Sequence, residues 1–112
     1  MEMTDLNFED FQKVDIRLGT IIEVNDFPKA RIPAFQLKID FGSIGIKHSS
    51  AQLTSLYNKD ELLNKQVLAV INFKPKQIAN FQSECLVLGL QNGKDVVLLR
   101  AHQDVKNGTQ VL

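Results

Sequence analysis

Cysteine occurs once in 112 residues, tryptophan is absent, and neither sign of charge prevails. With Cys85 alone the chain can form no internal disulfide, whereas small secreted domains commonly rest on several. Only His48 and His102 stand beside it, and no spacing among the three resembles a zinc site. Thirteen basic and thirteen acidic residues cancel. Proteins that grip nucleic acid through its phosphates usually carry a basic excess, so any RNA contact here must come from a local patch. No apolar run approaches the roughly 20 residues of a membrane-spanning helix. The opening "MEMTDLNFED" is acidic and lacks the basic start and apolar stretch of a signal peptide, so the cytoplasm is the expected compartment. "GSIGIK" lacks the glycine spacing of a phosphate-cradling loop, so neither a cofactor nor a nucleotide-driven cycle is expected. "NGT" at 107–109 reads as a turn rather than a glycosylation acceptor.

What the chain does have is alternation. "AFQLKIDFG" (34–42) sets Phe35, Leu37, Ile39 and Phe41 against Gln36, Lys38 and Asp40, the pattern of a half-buried strand. "DIRLGTIIEV" (15–24) places Ile16, Leu18, Ile22 and Val24 on one face, and "IGIKHSS" continues with Ile44 and Ile46. "QVLAVINF" (66–73) is apolar on both faces, which predicts a strand covered twice, by a helix or by a second subunit. Leu68, Val70 and Phe73 are therefore candidate dimer-interface residues. Asn-Gly in "QNGKD" (91–95) predicts a hairpin between "ECLVLGL" and "VVLLR". Short helices are expected over 7–14, with Asn7 as cap, over 50–57, and in "KDELLNK". The length suits one domain, residues 1–112. Five or six strands with a helix between the third and fourth predict an all-β chain with short helices, an OB-type β-barrel, with a β-sandwich as the alternative.

No catalytic constellation emerges. Cys85 sits between strand residues, where a lone cysteine is usually a packing residue, and the carboxylates are scattered, so the chain is expected not to be an enzyme. Candidate binding residues lie on three segments: Lys29 and Arg31 in "FPKAR", Lys47, His48 and Ser49 in "KHSS", and Lys74, Lys76, Ile78, Phe81, Ser83 and Cys85 in and just after "KPKQIANFQS". Cations beside an aromatic ring suit single-stranded nucleic acid, with bases stacked on the ring, and equally suit an extended peptide with apolar side chains. Phe81 either offers such a contact or packs beneath its own loop.

At "DIRLGTI", "KIDFG", "GIKHSSAQ" and "NFKPKQIANFQSECLVLG" the sequence resembles the CsaA group of the tRNA-binding-domain OB-fold family, from about Phe8 onward. That resemblance implies a homodimeric, export-related chaperone that binds unfolded or preprotein segments and the preprotein translocase ATPase. The wider family implies structure-specific tRNA binding through the same surface. Lys74, Pro75, Ile78 and Ser83 stand as in tRNA-binding members, and Lys76 keeps a cation. Gln77 and Ala79 lose two basic positions, and Glu84 adds a carboxylate, which should weaken phosphate attraction. Asn80 stands where those members have glycine, and asparagine tolerates a positive φ. The contrast favours peptide over RNA, with tRNA binding weak at most.

Overall fold

The computed structural model describes residues 3–112. After a short helix α1 (Phe8–Gln12), the chain builds strands β1 (Ile16–Asp26), β2 (Phe35–Asp40) and β3 (Ile46–Ala51). A one-turn helix α2 (Lys59–Leu62) then leads into β4 (Gln66–Val70). Two hairpins complete the chain, β5 (Lys76–Ile78) with β6 (Phe81–Ser83) and β8 (Gly89–Asn92) with β9 (Asp95–Leu98), and β7 (Leu86–Val87) lies between them. The main sheet is antiparallel in the order β3-β2-β1-β4-β7.

β1 holds the sheet in its curl. Its first half pairs with β4, from Ile16 opposite Val70 to Thr20 opposite Gln66, and its second half pairs with β2 as far as Asp26 opposite Phe35. The edges then meet across a short seam. Glu84 N–H donates to the His48 carbonyl (2.7 Å), and Ser50 N–H donates to Ser83 Oγ (3.0 Å). The result is a nearly closed five-stranded barrel of the OB type, with the helix between the third and fourth strands as the sequence predicts. Residues 107–111 run beside the start of β1. Gly108 N–H donates to the Leu18 carbonyl (2.7 Å), Leu18 N–H to that of Thr109 (3.0 Å), and Val111 N–H to that of Ile16 (2.8 Å).

The core follows the alternation of β2. Phe35, Leu37 and Ile39 point inward with Phe41, and meet Ile21, Leu53, Leu62, Val67 and Ala69. α2 is held by a capping box: Asn58 Oδ1 accepts from Glu61 N–H, and Glu61 Oε1 accepts from Asn58 N–H, so two backbone donors that the helix cannot satisfy internally find partners.

Several expectations change. Ile22 does not join the inner face of β1, because the register slips between Ile21 and Glu23 and leaves Ile22 as an extra residue. Ile21 is fully buried in its place, and Ile22 is exposed. Residues 50–57 do not form a helix: Ser50 and Ala51 end β3, and a single turn follows, with Tyr57 N–H donating to the Leu53 carbonyl. Asn7 precedes α1 without a side-chain capping bond. β4 stops at Val70 rather than Phe73. Of the expected interface residues, Val70 is buried within its own chain, Leu68 is half-buried, and Phe73 is exposed. Val70 therefore has little free surface to offer a second copy.

Candidate ligand-binding groove

The basic connector of residues 74–83 is a hairpin, not a loop. β5 and β6 pair through Lys76 opposite Ser83, Gln77 opposite Gln82 and Ile78 opposite Phe81, around a two-residue turn. The positive φ of that turn falls on Ala79 (51°), not on Asn80. Gln77 Nε2 donates to the Ala79 carbonyl (3.0 Å) and braces the turn.

Directly opposite residues share one face of the hairpin, so Lys76 and Ile78 lie on the same side as Ser83 and Phe81. Lys74, Lys76 and Ile78, two residues apart, line one groove of about 380 Å³ with Phe73, Leu86, Cys85, Ser83, Ser50 and Gln52. Phe73, Ile78 and Leu86 supply an apolar floor, and two exposed lysines stand at its margin. Neither lysine is paired with a carboxylate among the described residues, and no carboxylate lines the groove.

Phe81 lines a second depression, of about 520 Å³, with His48, Lys38, Glu23 and Glu84. It is half-buried, edge-on to the buried Phe27 (centroids 5.4 Å apart) and to His48 (6.0 Å). The ring therefore packs largely beneath its own hairpin and anchors it to the loop after β1. Arg31 lies in a third depression beside Phe27 and Pro33, Lys29 is exposed on the same loop, and Lys47 is half-buried within β3. Five of the eleven predicted binding residues are thus gathered in one groove. The other six are spread over β3, the turn side of the hairpin and the loop after β1.

Two of the predicted residues are structural supports. Ser49 is fully buried and donates through Oγ to the Cys85 carbonyl (3.0 Å), and Cys85 is itself buried in the core. Ser49 has no surface to offer a ligand, and Cys85 reaches only the base of the groove. Burial pushes the Cys85 thiol up to about 11, so it stays protonated near neutrality and is a poor nucleophile.

Glu84 carries a role that charge counting missed. Its Oε1 accepts from the His48 backbone N–H (2.9 Å) and faces His48 Nδ1 (3.0 Å), which makes it a latch across the barrel seam. Partial burial pushes its carboxyl up, but the bonds from His48 and the nearby charges of His48 and Lys47 outweigh this and hold it below the ordinary glutamate range. Ser50, Gln52 and Leu86 also line the groove without having been singled out. Only the period-two spacing of Lys74, Lys76 and Ile78 was visible in the sequence, and seeing it required reading the connector as a strand.

A family model described as "Putative tRNA binding domain" matches residues 16–110. The crystal structure of the CsaA chaperone protein from Picrophilus torridus superposes with a TM-score of 0.91 at 51% identity, covering 96% of this chain and all of that one. Chaperone CsaA from Bacillus anthracis gives 0.91 at 47% identity, covering 97% and 100%. Among curated relatives, the methionine–tRNA ligase of Pyrococcus horikoshii is 39% identical over 98% of this chain, which spans only 15% of that ligase. With a barrel, a hairpin groove and a family match running almost end to end, the chain belongs to the tRNA-binding-domain family and to its CsaA-like members.

Proposed function

We propose that this protein is an ATP-independent, CsaA-like chaperone that binds unfolded or preprotein segments and assists their export from the cytoplasm. In this reading it works as a homodimer and delivers clients to the preprotein translocase ATPase. The observation that carries the proposal is the groove: an apolar floor beside two unpaired lysines, with no carboxylate in its lining. Extended chain with apolar and acidic side chains has complementary chemistry. Similarity to two CsaA chaperones along the whole chain supports the same reading. No chemical step is required of any side chain.

A second reading, structure-specific tRNA binding through the same hairpin, is favoured by the family match and by the ligase relatives. It is ranked lower on charge. With Lys74 and Lys76 as the main phosphate contacts, the logarithm of affinity should fall with the logarithm of salt at a slope of only about −2 for each chain engaged. Titrating an unfolded precursor and tRNA side by side across a salt series separates the two. The chaperone reading expects the precursor to bind more tightly at physiological salt. Tight tRNA binding with a slope of about −4 or steeper for each chain engaged would reverse the order.

A further inference from the structure

Resting on the peptide-binding reading above, we infer that the groove selects its ligand in register: an extended segment with acidic side chains at two alternate positions and an apolar side chain at the next alternate position. Lys74, Lys76 and Ile78 all line the groove, while the side chain of Gln77 is turned to the Ala79 carbonyl. Lys76 and Ile78 lie in β5 and Lys74 precedes it across Pro75; where the backbone is extended, such alternate positions recur at about 6.6–6.8 Å. An extended polypeptide lying beside them has the same repeat, so every second side chain of the ligand meets one of the three. The chemistry of each position then follows: a carboxylate beside Lys74, a carboxylate beside Lys76, and an aliphatic or aromatic side chain beside Ile78, with Phe73 and Leu86 completing the apolar end. The residues between point away and are left free.

Two further observations support this mode. β5 pairs only with β6, so no strand lies along its outer edge among the described residues. Such an edge can accept an added strand, with backbone bonds giving affinity and alternate side chains giving selectivity. The groove is also unlike the other depressions in charge. Those around His48, His102, Arg31 and Tyr57 each include at least one carboxylate, which would repel an acidic ligand.

The test uses fluorescently labelled extended peptides, titrated by anisotropy against the full chain. One peptide carries acid, spacer, acid, spacer, leucine. A second carries the reverse order, so that parallel and antiparallel binding are both covered. A third has the same composition with the two acids adjacent, so that only one can face the lysines. The better of the first two should bind about twofold to fivefold more tightly than the third. Lys76→Glu should erase that difference and favour a peptide with lysines in place of the acids, whereas Lys76→Arg should keep it. Equal affinity for matched and adjacent-acid peptides overturns the register and leaves the chaperone reading intact. An unfolded precursor that binds while no peptide does, unaffected by Lys76→Glu, also overturns the inference, by placing the client elsewhere. If neither precursor nor peptide binds, the chaperone reading itself fails. A single-stranded RNA that outcompetes the peptides and is lost with Lys76→Glu would make the groove an RNA site and overturn both.

Discussion

Glu84 offers one carboxylate oxygen to two nitrogens of His48, at 2.9 and 3.0 Å, and its own N–H to the His48 carbonyl. Removing the side chain in Glu84→Ala leaves the His48 N–H without its partner at the seam, which should cost about 1–2 kcal/mol in urea unfolding. The acid dependence has a definite sign. A carboxyl held below its ordinary value stabilises the fold above the ordinary glutamate range, and that contribution fades as pH falls through the depressed value. The stability difference between the wild type and Glu84→Gln should therefore shrink on acidification from neutrality. A constant difference would show that the carboxylate charge contributes nothing. Cys85 supplies a second residue-level test. Its thiol is buried and shifted up to about 11, so a thiol reagent should react slowly at neutral pH and quickly once urea opens the barrel. Fast labelling of the native chain would contradict that burial. The sequence marks Cys85 as a packing residue, but the Glu84 latch was not legible, because a sequence shows a carboxylate's charge but not which backbone amide it will face.

At the level of elements, β1 shows how closely the strands approach. A Cβ placed on Gly19 would lie 2.6 Å from Ile39 Cγ2 and 2.7 Å from the Phe41 ring, both in the core. Gly19→Ala should thus destabilise the barrel by about 1–3 kcal/mol, the usual scale of overpacking, and calorimetry can read it. An unchanged melting temperature would mean that the core yields more easily than its packing suggests. The strands of the central sheet were largely legible because β2 alternates cleanly and the long β1 begins with the same pattern. The bulge at Ile22 was not, since one extra residue exchanges the two faces without altering composition. Nor was the β5–β6 hairpin, whose three-residue strands are too short for period-two patterning to stand out beside Pro75. Its turn places a positive φ on Ala79, a residue type that gives no warning of it.

At the scale of the whole molecule, a net charge of zero coexists with an uneven distribution. Most cations, Lys74 and Lys76 among them, have no carboxylate partner among the described residues, but of the depressions described above only the groove that these two line holds no carboxylate. Composition averages that difference away, which is why the groove was legible only as a stretch of chain and not as a shape. Exposed apolar side chains outside the groove, including Leu90 and Ile46, leave surface for a second copy to cover. For the proposed homodimer, light scattering at micromolar concentration should give twice the 12.6 kDa of the chain. A monomer mass would remove the dimer from the proposal and leave the groove as a single-chain site.

The hydrogen bonds between residues 107–111 and the start of β1 bear on when the protein can fold, as well as on how. Within this chain β1 is made well before residues 107–111, and part of its edge lacks a neighbour until they have emerged. During synthesis the open edge and the apolar side chains behind it are exposed to the same crowded surroundings as any client. A domain proposed to shelter unfinished proteins is thus itself unfinished until residues 107–111 have been made, and until then it is as open to aggregation as its clients.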